Sequence, residues 1–290
     1  TLDLAMPLGR VTGRVVGPDG EPTANARVTL SMQSGHVFGT MMGGQYNETR
    51  TDTDGRYEVL FVRPGEYAVA AGGSFLGGML GDENGLGRMV KSVEVGKDAW
   101  ETVDFQLQTP GHIHGVVRDA DGKTVPEASI FLRDEEGRLI ELISFQATNA
   151  TGSFEYDGLA PGEYTITART STQSSPTDLV VRVRSGETTE TTVTVETGTI
   201  LLVSLGDKTG ADIRSRVSVL DERGFEVTGM LSLTELMGRI SGGMDGTVQR
   251  VGPLPPGTYQ VRAFAEDGRN VSKRARLKGQ AEKKLRLRLR

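Results

Sequence analysis

Apolar and polar residues alternate with a period of two along short stretches of this chain. In "GRVTGRVV" (9–16) and "ARVTL" (26–30) every second residue is apolar or glycine. At the far end, "KKLRLRLR" (283–290) sets Leu285, Leu287 and Leu289 against Arg286, Arg288 and Arg290. A period of two sends the two sets to opposite faces of a strand, one toward a core and one toward water. Clusters of Gly, Asp, Asn and Pro interrupt the alternation at short intervals, and such clusters make turns. A different spacing occurs in "LSLTELMGRI" (231–240), which permits a short amphipathic helix capping one end of a sheet. The pattern as a whole predicts an all-β chain.

It also repeats. "PGEY" stands at 64–67 and again at 161–164, and "PGTY" at 256–259. Aligned on this turn, each unit opens with an alternating run: "GRVTGRVV" (9–16), "GHIHGVV" (111–117) and "GTILLVSL" (198–205). A turn cluster follows ("GPDGEP", "DADGKTVPE", "GDKTGAD"), then a second run, "ARVTL", "ASIFL" (128–132) or "SRVSVL" (215–220). "TDTDGRYEV" (51–59) and "TNATGSFEY" (148–156) match closely, whereas "GMDGTVQRV" (243–251) is a degraded copy. Each unit closes in two strands that read as a hairpin. About seven strands in roughly 100 residues is one Greek-key β-sandwich. Three such sandwiches are expected, over residues 1–108, 109–196 and 197–290. The joints "QTPG" and "ETG" are too short for independent tumbling, so a semi-rigid rod of three beads is expected. Pro and Gly of the repeated turn suit the two central positions of a type II turn. The tyrosine after them suits a sandwich corner, with its ring buried and its hydroxyl on nearby backbone.

The order G-x-V-x-G-x-V, a DG turn, A-x-V-x-L, T-D-x-D-G-x-Y and L-x-P-G-x-Y resembles the carboxypeptidase regulatory-like domain. The first unit carries nearly every element: Gly9, Gly13, Asp19–Gly20, Ala26, Asp52, Asp54–Gly55, Tyr57, Pro64–Gly65 and Tyr67. The second replaces the aspartates with Asn149 and Thr151. The third lacks the second glycine of its first strand and the T-D-x-D-G element. The resemblance implies a transthyretin- or immunoglobulin-like sandwich of seven or so strands. It also implies non-catalytic modules of larger bacterial proteins in the periplasm, on the cell surface or outside the cell.

Composition narrows the chemistry. The chain has 290 residues, 36 % of them hydrophobic, and no cysteine, which excludes disulfides, thiolate catalysis and zinc sites built on sulfur. No run of 18 or more apolar residues exists, so no membrane-spanning helix is expected. The segment starts at Thr1 with no visible signal peptide, and a processed product or an excised fragment is expected. The net charge of −5 conceals a polarity. Residues 1–108 hold 9 basic and 14 acidic side chains (−5), 109–196 hold 7 and 14 (−7), and 197–290 hold 17 and 10 (+7).

Of three histidines, His36, His112 and His114, the last two share one strand face, but a pair does not complete a metal site. "DTDG" (52–55) and "DADG" (119–122) lack the later ligands of a calcium loop and read as hairpin turns. No motif with a catalytic mechanism occurs, so neither enzyme activity nor a cofactor is expected. A lysine on the first strand, needed for an intramolecular Lys–Asn isopeptide bond, is missing from the first two units. Interaction is the expected role, with neighbouring domains or another protein. The insertions "SGHVFGTMMGGQY" (34–46) and "GGSFLGGMLGDENGLGRM" (72–89) join glycine to methionine and aromatics. Phe38, Met41, Met42, Phe75, Leu76 and Met79 either meet a partner there or fold back onto the sandwich. Arg286, Arg288 and Arg290, with Lys273, Arg274, Arg276 and Lys278 on the preceding strand, form a basic sheet face suited to an acidic neighbour. Without interleaved aromatics, that face is not expected to bind nucleic acid. The alternative is a carbohydrate-binding module, for which Trp100 is the lone tryptophan, in a stretch that reads as strand core or edge.

Overall fold

A computed structural model describes residues 8–32, 46–72, 88–137, 139–140, 143–144, 147–176, 178–228, 230–232 and 247–289. Among them every regular element is a strand, and the strands form sandwich-like sheets. The chain divides into two compact units. One is Thr1–Ile113 with Tyr156–Gly162 and Arg182–Thr189; the other is His114–Glu155, Glu163–Val181 and Glu190–Arg290.

The first strands are β1 (Gly9–Val16), β2 (Arg27–Met32), β3 (Tyr46–Arg50), β4 (Arg56–Val62), β5 (Gly65–Ala71), β6 (Met89–Val95), β7 (Trp100–Thr102) and β8 (Phe105–Gln106). They make two sheets, β4-β1-β7 with β8 also on β1, and β3-β2-β5-β6. Val11, Val15, Val59 and Phe105 from one sheet meet Val28, Leu30, Tyr67 and Val69 from the other in a single core. Next come β9 (Gly111–Asp119), β10 (Ser129–Arg133), β11 (Ile143–Ser144), β12 (Ser153–Leu159), β13 (Gly162–Arg169), β14 (Gln173–Ser174), β15 (Leu179–Val183) and β16 (Thr188–Thr197). The last are β17 (Thr199–Gly206), β18 (Asp212–Ile213), β19 (Ser215–Leu220), β20 (Leu231–Ser232), β21 (Val248–Leu254), β22 (Gly257–Ala265), β23 (Asn270–Leu277) and β24 (Glu282–Arg288). Sheet β18-β17-β21, with β24 on β17, and sheet β19-β22-β23 enclose Leu201, Val203, Leu205, Val219, Val261, Leu277, Leu285 and Leu287.

Three expectations need correction. The closing strands of the first and last stretches are not hairpins. β6 stays on β5, while β7 and β8 cross over and pair in parallel with β1; likewise β23 stays on β22 while β24 runs parallel to β17. The crossover lets Phe105 and Leu285 complete the core while covering an edge of the central strand that would otherwise be open. Second, the Pro–Gly turn is not type II, which needs φ near +80° at the glycine. Gly65 has φ +154° and Gly257 has no left-handed backbone, because each opens the next ladder, opposite Val95 and Leu277. The corner is closed by tyrosine instead. The Tyr67 hydroxyl donates to the Arg63 carbonyl (2.9 Å) and the Tyr259 hydroxyl to that of Pro255 (3.0 Å), each four residues upstream. Third, Leu231 and Ser232 of the expected helix pair in parallel with Ile143 and Ser144 as strand, and 233–240 lie outside the described residues.

The second glycine of the first strand has a steric cause. A Cβ on Gly13 would sit 2.0 Å from the Val103 carbonyl oxygen and 2.8 Å from the ring of Tyr57, its register partner. That ring is fixed by its hydroxyl donating to the same carbonyl (2.6 Å). A Cβ on Gly115 would sit 2.2 Å from the Phe154 ring. In β17 the register pair is Val203 and Gln249 instead. Where the ring is absent, so is the glycine.

Candidate interaction surface

The outer face of sheet β4-β1-β7 carries the most unusual chemistry among the described residues. Register between β1 and β4 jumps from Gly9↔Val62 to Val11↔Val59, so Leu60 and Phe61 together oppose Arg10. This is a β-bulge. On the other side of Arg10 stands Trp100, its register partner on β7. Leu60 and Phe61, Arg10 and Trp100 thus form a row across three strands. The Arg10 guanidinium lies 4.4 Å from the Trp100 ring centroid, and its Nε is 2.9 Å from Glu58 Oε1. Phe61 is 69 % exposed and Trp100 74 %.

Folding does not account for this row. The stacked cation and the surface ion pair are each worth about 0.5–1 kcal/mol at exposed sites. Burying either aromatic would contribute more. Phe61 also has φ +61°, a left-handed backbone that costs a side-chain-bearing residue about 1–2 kcal/mol. The aligned position before "PGEY" in the second stretch is Gly158, φ +71°, which adopts this conformation at no steric cost. A large exposed aromatic therefore stands where the bulge favours glycine, and strain of this kind collects at functional sites. In the sequence the only trace is "VLFV" (59–62), where alternation lapses into four consecutive apolar residues.

Of the residues expected to form an interaction surface, Phe38, Met41, Met42, Phe75, Leu76, Met79 and Arg290 lie outside the described residues. Arg286 and Arg288 are exposed on β24, between buried Leu285, Leu287 and Leu289. Arg286 is held by Asp212 (2.8 Å) and donates to the Gly210 carbonyl. These arginines do not share a face with Arg274 and Arg276. The crossover after β23 places the two pairs on different sheets, and this corrects the expected single basic face.

His112 Nδ1 lies 2.7 Å from Asp157 Oδ1, and His114 has Glu155 and Glu190 carboxylates at 3.9 and 3.6 Å. These acidic neighbours were not visible in the sequence because they come from other strands. Asp52 and Asp119 accept backbone N–H groups two and four residues on, at 2.8–3.0 Å, and so do Asn149, Asp207 and Asp221. The glycine three residues after each has φ between +72° and +91°. In these turns the side-chain oxygen serves the backbone. "DTDG" is nevertheless not a hairpin, because β3 and β4 belong to different sheets.

In the second unit, a cavity of about 330 Å³ lies beside Arg133, Arg169, Ser174, Asp178, Arg223 and Tyr259. Arg133 is buried and donates to the carbonyls of Gly137 (2.9 Å) and Glu226 (2.8 Å). Burial pulls its guanidinium below the ordinary value, and Asp221 opposes that shift. Buried Arg169 donates to the Met230 carbonyl, and Arg223 pairs with Asp178. Phe131 of β10 belongs to the same core as Leu201 and Val261. These contacts join β10, β13 and Asp178 to residues 199–290 through guanidinium–carbonyl bonds, an ion pair and shared packing, which is structural work.

The family described as Carboxypeptidase regulatory-like domain matches residues 10–108 and 112–196. Among curated proteins none matches the chain. Solved structures resemble it distantly. The TIE protein of Bacillus anthracis is 15 % identical (TM-score 0.30), with 98 % of this chain and 50 % of that one covered, so this chain spans about half its length. The minor pilin GBS52 of Streptococcus agalactiae is 14 % identical (TM-score 0.31; 65 % and 96 % covered). The shaft pilin SpaA of Lactobacillus rhamnosus GG is 10 % identical (TM-score 0.29; 66 % and 98 %). Likeness at this level carries no function across.

Proposed function

The chain belongs to the carboxypeptidase regulatory-like domain family, and from that premise we propose a non-catalytic module that binds another protein. It comprises three tandem β-sandwiches, over 1–108, 109–196 and 197–290, in a larger exported or surface-located bacterial protein. The observation that carries the binding role is the row of Phe61, Arg10 and Trp100 on the first sandwich. Trp and Arg lead the residue types that dominate binding energy at protein interfaces, and a rigid sheet holds these without loop ordering costs. Affinity capture from envelope fractions, with wild type beside Trp100→Ala, tests the role. A protein retained by the wild type and lost by an equally stable variant is the expected result. Equal capture by both would remove the row from the interface.

A carbohydrate ligand is the second reading, favoured by the exposed indole beside the Arg10–Glu58 pair. Glycan-array binding that disappears with Trp100→Ala would replace the protein partner with a sugar.

A further inference from the structure

A second surface lies on the outer face of sheet β19-β22-β23. Inward positions are marked by Val219, Val261, Ala263, Ala275 and Leu277 in the core. Residues on the alternate positions therefore lie on the outer face: 216, 218 and 220 on β19, 258 to 264 by twos on β22, and 270 to 276 by twos on β23, of which Ser218 alone is buried. Register sets them in rungs, with Arg216 beside Phe264 and Asn270, Ser218 beside Arg262 and Ser272, Leu220 beside Gln260 and Arg274, and Thr258 beside Arg276. Four arginines stand on this face; no outward position of the three strands is acidic, and Glu226 lies opposite Leu220 at its edge. Arg216, Arg262, Arg274 and Arg276 are all exposed.

The contrast with other arginines is informative. Arg10, Arg27, Arg223, Arg269 and Arg286 each have a carboxylate within 4 Å. The four on this face have none among the described residues. Neighbouring strands are about 4.8 Å apart and alternate residues about 6.8 Å, so each arginine stands about 7–8 Å from the next along a diagonal that runs about 22 Å from Arg216 to Arg276. Guanidinium groups suit carboxylates because their planar fork gives two parallel hydrogen bonds.

The complementary surface is on the same chain. Residues 109–196 carry −7 against +7 for residues 197–290. Glu155 and Glu190 are exposed there, beside the partly exposed His114. We propose that the arginine face of one copy docks on the acidic 109–196 region of a second copy. Such a contact joins two different patches, so it is heterologous and extends head to tail rather than closing a dimer. It adds an interaction independent of the aromatic row on the first sandwich.

Sedimentation velocity of the whole chain tests this at about 0.01 M and about 1 M NaCl, where the Debye length falls from about 30 Å to about 3 Å. Concentration-dependent association is expected at low salt and monomer at high salt. Arg274→Glu with Arg276→Glu should weaken association at least about tenfold, because like charges then face each other. Glu155→Lys with Glu190→Lys should do the same, and an equimolar mixture of the two variants should associate again. Unchanged thermal unfolding of each variant shows that folding is intact, and restoration in the mixture cannot arise from misfolding. A wild type that stays monomeric at low salt overturns the proposal. So does association that survives high salt or the Arg274–Arg276 reversal. Retention of a monomeric wild type on heparin, lost in the arginine variant, would assign the face to an acidic polymer and overturn self-docking equally.

Discussion

Replacing Phe61 separates a side chain kept for folding from one kept for contact. The relevant quantities are the left-handed backbone and the modest burial. With φ +61° the residue bears a steric cost of about 1–2 kcal/mol that glycine avoids and asparagine largely avoids. The residue is 69 % exposed. Of roughly 200 Å² of side-chain surface about 60 Å² is covered, worth at most about 1.5 kcal/mol at 25 cal/mol/Å². Glycine gives back about 0.5–1 kcal/mol through unfolded-state entropy. Phe61→Gly and Phe61→Asn should therefore fall within about 1 kcal/mol of wild type, far from the 3–5 kcal/mol lost when a core phenylalanine is truncated. Phe61→Val keeps the backbone cost, sharpens it by β-branching and still loses ring contacts. It should lie about 1–2 kcal/mol below the glycine and asparagine variants. The lone tryptophan, Trp100, belongs to the same sheet, so its fluorescence during urea unfolding reports this sandwich and not the average over the chain. Valine as stable as asparagine would refute the left-handed bulge. A glycine variant destabilised by a core-sized amount would refute the claim that Phe61 is held for binding.

Two further outcomes follow from the cores. Burial raises the Tyr57 and Tyr259 hydroxyls far above the ordinary tyrosine value, with nearby acids, Asp104 for Tyr57 and Asp221 for Tyr259, adding to the shift. Above about pH 10 the unfolded chain loses these protons while the folded chain keeps them, so stability declines as pH rises. Tyr57→Phe and Tyr259→Phe should each flatten that alkaline decline in a pH series of denaturant midpoints, and a slope equal to wild type would count against the assignment. Gly115→Val should destabilise by about 1–3 kcal/mol through collision with the Phe154 ring, and Phe154→Gln should relieve part of it, copying the Val203–Gln249 pair. Strictly additive costs in the double-mutant cycle would show that the two side chains do not share the space.

Much of the architecture was legible in the sequence. The runs at 9–16 and 215–220 are strands with those bounds, and Leu285, Leu287 and Leu289 are buried on alternate positions. The T-D-x-D-G and D-A-D-G stretches are turns with Asp52 and Asp119 bonded to backbone, because turn chemistry needs only the next few residues. The interaction surface was barely legible. Trp100 read as core or edge, and nothing in the pattern around Arg10, Leu60 and Phe61 marks them as its neighbours.

By itself the sequence determined the period of two, the places where strands stop, the recurrence of one unit and the acidic-to-basic polarity. Each depends on side chains close together along the chain. Only the tertiary structure decided which strands become neighbours. It sends β7 and β24 across to the far sheet, sets Trp100 beside Arg10, and parts Arg286 from Arg276, which shares one sheet face with Arg216. Pairing is chosen by which arrangement buries the apolar faces of both sheets at once, and that choice involves residues ninety positions apart as readily as adjacent ones.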